Sequence, residues 1–168
     1  MALDLSSIAS TLLDKDALSG IASSTGLSSK DVTSVLKSAL PSLLDGASKQ
    51  TSNKSTLEGF ASALEKHASK NTSSLTSFFK DIDIDDGGKI VSHLLGDNKG
   101  KTADSLAKDL GIDAKDVAKV LACAAPLLMS LLGKKAQSAK KDSDSLSSIA
   151  SSLLGNADVG SLLKGFLK

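Results

Sequence analysis

A chain of 168 residues with 40% hydrophobic and 2% aromatic content, and with neither Trp nor Tyr, must fill its core with Leu, Ile, Val and Ala, which suits helices packed on helices. All 20 basic residues are lysines that nearly cancel 19 acids to a formal charge of +1, which excludes a strongly charged chain overall; only residues 134–168 are basic, with six lysines against three acids. The single cysteine, Cys123, excludes an internal disulfide and a thiolate metal cluster, and the opening Met-Ala-Leu-Asp-Leu lacks the basic start and apolar run of a signal peptide, so a cytoplasmic location is expected.

Residues 1–50 read as a first helical unit. "SIASTLL" (7–13) has apolar residues at helical spacing, and "SGIASSTGLSSKDVTSVLKSALPSLL" (19–44) gives a helix, a tight turn at Gly26 and a second apolar helix over 32–44. Pro41 lies inside that second helix, where a kink or a break with a fresh helix start is expected. Residues 48–55 read as a linker, and 51–85 as connecting helices, with one stripe at Leu57, Phe60, Ala61, Leu64 and Ala68 and another at Leu75, Phe78 and Phe79.

The stretch "DIDIDDGGKI" (81–90) places four carboxylates ahead of two glycines and raises the question of a calcium loop. Such a loop requires glycine at its sixth position and a bidentate Glu at its twelfth. Counted from Asp81 these positions hold Asp86 and Ser92; counted from Asp83 they hold Gly88 and Leu94, so both registers fail. The expectation is a helix over 87–95 capped by Asp85 or Asp86, with the neighbouring carboxylates stabilised by the helix dipole. "GDNKGKT" (96–102) has three residues between its glycines where a phosphate loop needs four, and it follows a helix rather than a strand. His67 and His93 lack zinc spacing and are expected on helix surfaces. No nucleophile signature stands in the sequence, so no catalytic residue, metal or cofactor is expected; a deep polar pocket holding a histidine with carboxylates would argue for an enzyme instead.

Residues 86–133 read as a second unit. A shift of 85 lays 19–44 on "DSLAKDLGIDAKDVAKVLACAAPLLM" (104–129), pairing Gly26 with Gly111, Lys30-Asp31-Val32 with Lys115-Asp116-Val117, and Pro41 with Pro126. "KIVSHLL" (89–95) echoes 7–13, and "LSSIASSLL" (146–154) nearly repeats 5–13. The uncharged run 120–132 is too short for the roughly 18–20 residues that cross a bilayer and reads as a buried central helix. Each unit has a helix-turn-helix shape, so DNA binding is a rival reading, with Lys115 and Lys119 and the cluster Lys134, Lys135, Lys140 and Lys141 as its candidate contacts. Against it, the exposed positions around Asp113, Lys115, Asp116 and Lys119 suit a polyanion poorly. Residues 134–168 read as a lysine-rich linker followed by amphipathic helices. There "VGSLLKGFLK" (159–168) groups Leu162, Leu163, Phe166 and Leu167 as a candidate partner-binding face, expected to pack back on the core rather than on a membrane.

With "DGGKIVSHLLG" (86–96), "LAKDLGIDAKDV" (106–117) and "APLLMSLLG" (125–133), the second half resembles the YidB-like bacterial family, domain of unknown function 937, and the first unit resembles it in outline. The resemblance implies a multihelical fold with homeodomain-like helical units and Gly87-Gly88 as a helix start. It supplies no catalytic or binding residues to carry over. The expectation is an all-α, multihelical protein of eight to ten helices, with two related homeodomain-like, helix-turn-helix-like units sharing an apolar core. Its expected role is that of a non-catalytic scaffold or protein-interaction module, bound to a protein partner or to a second copy of itself, with no small-molecule substrate and no membrane contact. The rival is a helix-turn-helix-like nucleic-acid-binding protein.

Overall fold

The structure, a computed structural model, describes residues 5–139 except 53, 71, 97 and 98. Among these residues it has no strand and eight helices: α1 (Leu5–Leu12), α2 (Lys15–Thr25), α3 (Ser29–Ser52), α4 (Lys54–Ala68), α5 (Leu75–Lys80), α6 (Ile84–Leu95), α7 (Lys99–Leu110) and α8 (Ala114–Ala139). The described part of the chain is thus all-α. Its buried apolar side chains, drawn from all eight helices, form one cluster.

Two glycines stop helices where the sequence places them. Gly26 after α2 and Gly111 after α7 have φ of 78° and 68°, a left-handed conformation that costs glycine no Cβ clash. The helices that follow begin on side-chain caps: Ser28 Oγ accepts from the Asp31 N–H at 3.0 Å, and Asp113 Oδ1 accepts from the Lys115 N–H at 2.8 Å.

Helix α8 is the centre of the molecule. It packs most extensively on α6 and α4 and also touches α1, α2, α3 and α7. Residues 120–130 are all buried, as the uncharged run predicts. By length and composition Ala114–Lys134 could cross a membrane, but 78% of its apolar window is buried inside the protein, the mark of a core helix. Buried Cys123 has its thiol pushed up to about 11 by desolvation, so it is an inert packing residue.

Both prolines sit inside helices that continue through them, Pro41 in α3 and Pro126 in α8, so of the kink or break expected at each the break does not occur. An interior proline costs about 3 kcal/mol. Fully burying one leucine contributes about 1.5–3 kcal/mol, and Leu40, Leu43 and Leu44 around Pro41, like Leu127 and Leu128 beside Pro126, are wholly buried. Packing outweighs the defect. The linkers also shrink: α3 runs to Ser52 and α4 starts at Lys54, while α8 continues to Ala139. Nothing in 47–58 or 134–139 is a glycine or proline that would stop a helix.

Helices approach one another closely at glycines. A Cβ on Gly87 would overlap the Ala122 carbonyl of α8, one on Gly46 the Leu94 carbonyl of α6, and one on Gly133 the Leu64 carbonyl of α4. Gly88, by contrast, faces open space. The pair Gly87-Gly88 therefore lies within α6 rather than starting it, and its first member is a packing notch.

Candidate functional site

The acidic stretch resolves into a cap, though not at the residues expected from sequence. Asp83 has extended backbone, and its Oδ1 accepts from the Asp86 N–H at 3.1 Å. The Gly87 N–H already bonds the Asp83 carbonyl at 2.9 Å. Asp85 and Asp86 therefore stand in the first turn of α6, where the positive end of the helix dipole favours them. A cap must precede the first helical hydrogen bond, and the helix starts three residues earlier than its glycines suggest.

That helix start, the end of α4, the short helix α5 and Pro126 of α8 enclose a cleft of about 310 Å³. Its lining includes His67, Lys70, Ser74, Asp81, Asp83 and Asp86. His67 is 3% exposed, which corrects the surface position expected of it, whereas His93 does lie on the surface. The signal was present: His67 follows Phe60 by seven residues and Leu64 by three, on the stripe that buries α4.

The imidazole is short of partners. Its Nε2 lies 3.7 Å from Asp86 Oδ2, beyond hydrogen-bond reach, and Nδ1 is buried with no hydrogen-bond partner among the described residues. Burial lowers the His67 pKa below 6.5; the Asp86 carboxylate opposes this, and Lys70 and Lys66 add to it. At neutral pH the ring is therefore uncharged, with one donor and one acceptor.

Three carboxylates against one ammonium make the cleft negative. Its chemistry suits a cationic group that also donates hydrogen bonds. A histidine with carboxylates is the lining that, on sequence grounds, favours an enzyme; of the cleft's two serines, Ser74 Oγ is engaged at the start of α5, accepting from the Ser77 N–H at 3.4 Å and lying 3.3 Å from Ser77 Oγ. Among the described residues no three His, Cys, Asp or Glu side chains are grouped to hold a metal. A second cleft of about 360 Å³ is apolar, lined by Phe60, Ile90, Leu94 and Met129, and at its lip Gln50 Nε2 donates to the His93 carbonyl at 2.8 Å.

Of the candidate nucleic-acid contacts, Lys115, Lys119 and Lys134 lie within the fully described residues. Lys115 is exposed in the first turn of α8, and Lys119 lies 3.6 Å from Asp116 in an ion pair. Lys134, half-buried, is 19 residues past Lys115 on the same helix, about 28 Å away at 1.5 Å per residue. Lys135 also belongs to α8, while Lys140 and Lys141, like Leu162, Leu163, Phe166 and Leu167, lie outside the described residues. Past Lys119 the helix is buried in the core and cannot lie in a DNA groove.

Among known proteins, the model of a family described as "Bacterial protein of unknown function (DUF937)" matches residues 8–135. No curated protein and no solved structure matches.

Proposed function

The chain belongs to the DUF937 family of bacterial proteins, and from that premise we propose that it is a non-catalytic protein-interaction module whose acidic cleft takes a cationic side chain of a protein partner. The observation that carries this reading is the cleft itself, where the carboxylates of Asp81, Asp83 and Asp86 face a single ammonium, Lys70, beside the neutral imidazole of His67. Lysine is the fitting donor, because a compact cation with several N–H groups can meet more than one of these carboxylates, of which Asp81 and Asp83 are exposed.

In this proposal the two stretches alike in sequence, α2-Gly26-α3 and α7-Gly111-α8, are homeodomain-like units that act as packing devices. The left-handed glycine in each and the burial of α8 support that reading. The nucleic-acid alternative draws on the same shape. It is weakened by the Lys119–Asp116 pair and by the separation of Lys115 from Lys134.

A titration of the ¹⁵N-labelled chain with tetralysine, beside a tetraglutamate control, tests the cleft. Amide shifts grouped at His67 and the start of α6, and lost in Asp81→Asn/Asp86→Asn, are expected. Shifts scattered over all surface acids would count against it. Fluorescence anisotropy with duplex DNA at about 50 and then about 200 mM salt tests the rival: binding that weakens steeply between the two would put the helix-turn-helix reading first.

A further inference from the structure

Residues 146–154, "LSSIASSLL", match residues 5–13, "LSSIASTLL", at eight of nine positions. The second stretch lies outside the described residues; the first is α1 with Leu13. Helix α1 is seated through Ile8, Ala9 and Leu12, exposed by 2%, 0% and 0%, with Leu13 partly buried beside them, and it rests on α8 and α2. Ile149, Ala150, Leu153 and Leu154 stand at the same spacings in the second stretch. The one difference, Thr11 against Ser152, falls at a half-buried position of α1. A seat that reads its occupant through these apolar side chains has little with which to tell the two stretches apart.

We propose that the α1 seat is a docking site with two ligands in one chain, and that residues 146–154 compete with α1 for it in cis. The seat lies on α8, and the chain reaches its second ligand from the end of that same helix. Between Ala139 and Leu146 stand six polar residues, "KKDSDS", which span at most roughly 25 Å when extended. Helix α8 itself is about 39 Å long. The tether therefore reaches a seat on the C-terminal part of α8, and a ligand so held is present at an effective concentration in the millimolar range, with no second molecule needed to deliver it. Helix α1 is tethered more closely, through Leu13 and Asp14 to α2, and it holds the seat in the structure. The displaced stretch then offers the same Ile-Ala-Leu stripe to solvent. This inference is independent of the cleft around His67.

Thermal unfolding of the full chain with Leu12→Ala, with Leu153→Ala and with both tests it. A buried Leu→Ala change in a chain of this size ordinarily lowers Tm by about 6–12 °C. With two claimants for one seat, each single change is expected to lower Tm by less than about 3 °C and the pair by the full amount, a non-additive result. Full loss from Leu12→Ala alone, with no further effect of Leu153→Ala, would overturn the proposal. A second readout needs no unfolding: in Leu12→Ala the δ1-methyl resonance of Ile149 should move to the position that Ile8 holds in the parent chain, and an unmoved Ile149 sinks the idea. Light scattering should find a monomer in every variant. Rescue that grows with protein concentration would mean exchange between molecules and would overturn the claim that it occurs in cis.

Discussion

Helices α3 and α8 carry prolines at matching places, yet the molecule treats the two defects differently. Pro41 leaves the carbonyl of Lys37, an exposed residue, without its helical donor, and water can supply one there. Pro126 does the same to the carbonyl of Ala122, which is 5% exposed, and there α6 lays Gly87 directly against the oxygen. A glycine brings Cα–H groups to a carbonyl that has lost its N–H, a weak but favourable contact. Where α6 meets α3 the roles reverse, with Gly46 of α3 against the Leu94 carbonyl of α6. A backbone defect at the surface is met by solvent. A buried one needs a neighbour with no side chain.

The largest effect that tests this contrast is Gly87→Ala. Its Cβ would meet backbone, which has little freedom to move, so a loss of about 3 kcal/mol is expected in urea unfolding. A loss under about 1 kcal/mol would show that α6 and α8 can separate cheaply. Next come the prolines. Pro41→Ala restores a helical N–H and is expected to gain about 1–2 kcal/mol, less than the full propensity difference because the unfolded chain also gains freedom. Pro126→Ala should gain less, since the Ala122 carbonyl already has Gly87 and a buried ring is lost; equal gains would erase the distinction between the two sites.

Acidification reports on the α8 side of the comparison, because Pro126 and His67 line one cleft. His67 has a folded pKa held below 6.5 by burial, so between that pKa and 6.5 the unfolded chain binds more protons. Stability should therefore fall as pH drops below 6.5 and stop falling on this account once the folded pKa is passed. Comparing urea midpoints at about pH 7.5 and about pH 5.5, His67→Gln should show a shallower loss than the parent; identical slopes would place the titration elsewhere. Gly88→Ala, next to the notch but facing open space, should gain about 0.5–1 kcal/mol by helix propensity alone, opposite in sign to Gly87→Ala. The smallest effect belongs to Lys119→Ala. Its ion pair with Asp116 has a lysine side chain 53% exposed, and a change within about 0.5 kcal/mol is expected by calorimetry.

Much of this architecture was legible in the residues. Gly26 and Gly111 punctuate helices because a left-handed residue after a helix is best served by a side chain of no size, and the uncharged run at 120–132 had to be buried because water would penalise it. The family resemblance, read from "DGGKIVSHLLG" and "APLLMSLLG", agrees with a match that spans most of the chain. The cap of α6 was misread because four aspartates in six residues offer several capping registers of similar local energy, and the helix uses the one that starts at Asp83. His67 was misread because its residue type spoke louder than its place on the stripe of Phe60 and Leu64.

The sequence by itself determined that the fold is helical, that glycine ends α2 and α7 and which helix is too apolar for anything but the centre, since these follow from local sterics and from periodicity along one chain. Only the tertiary structure decided that Gly87 is a notch and Gly88 is not, and that His67 lies buried beside a carboxylate of another helix. Each of these depends on what another helix places opposite, and the distance between two helices is not a property of either one.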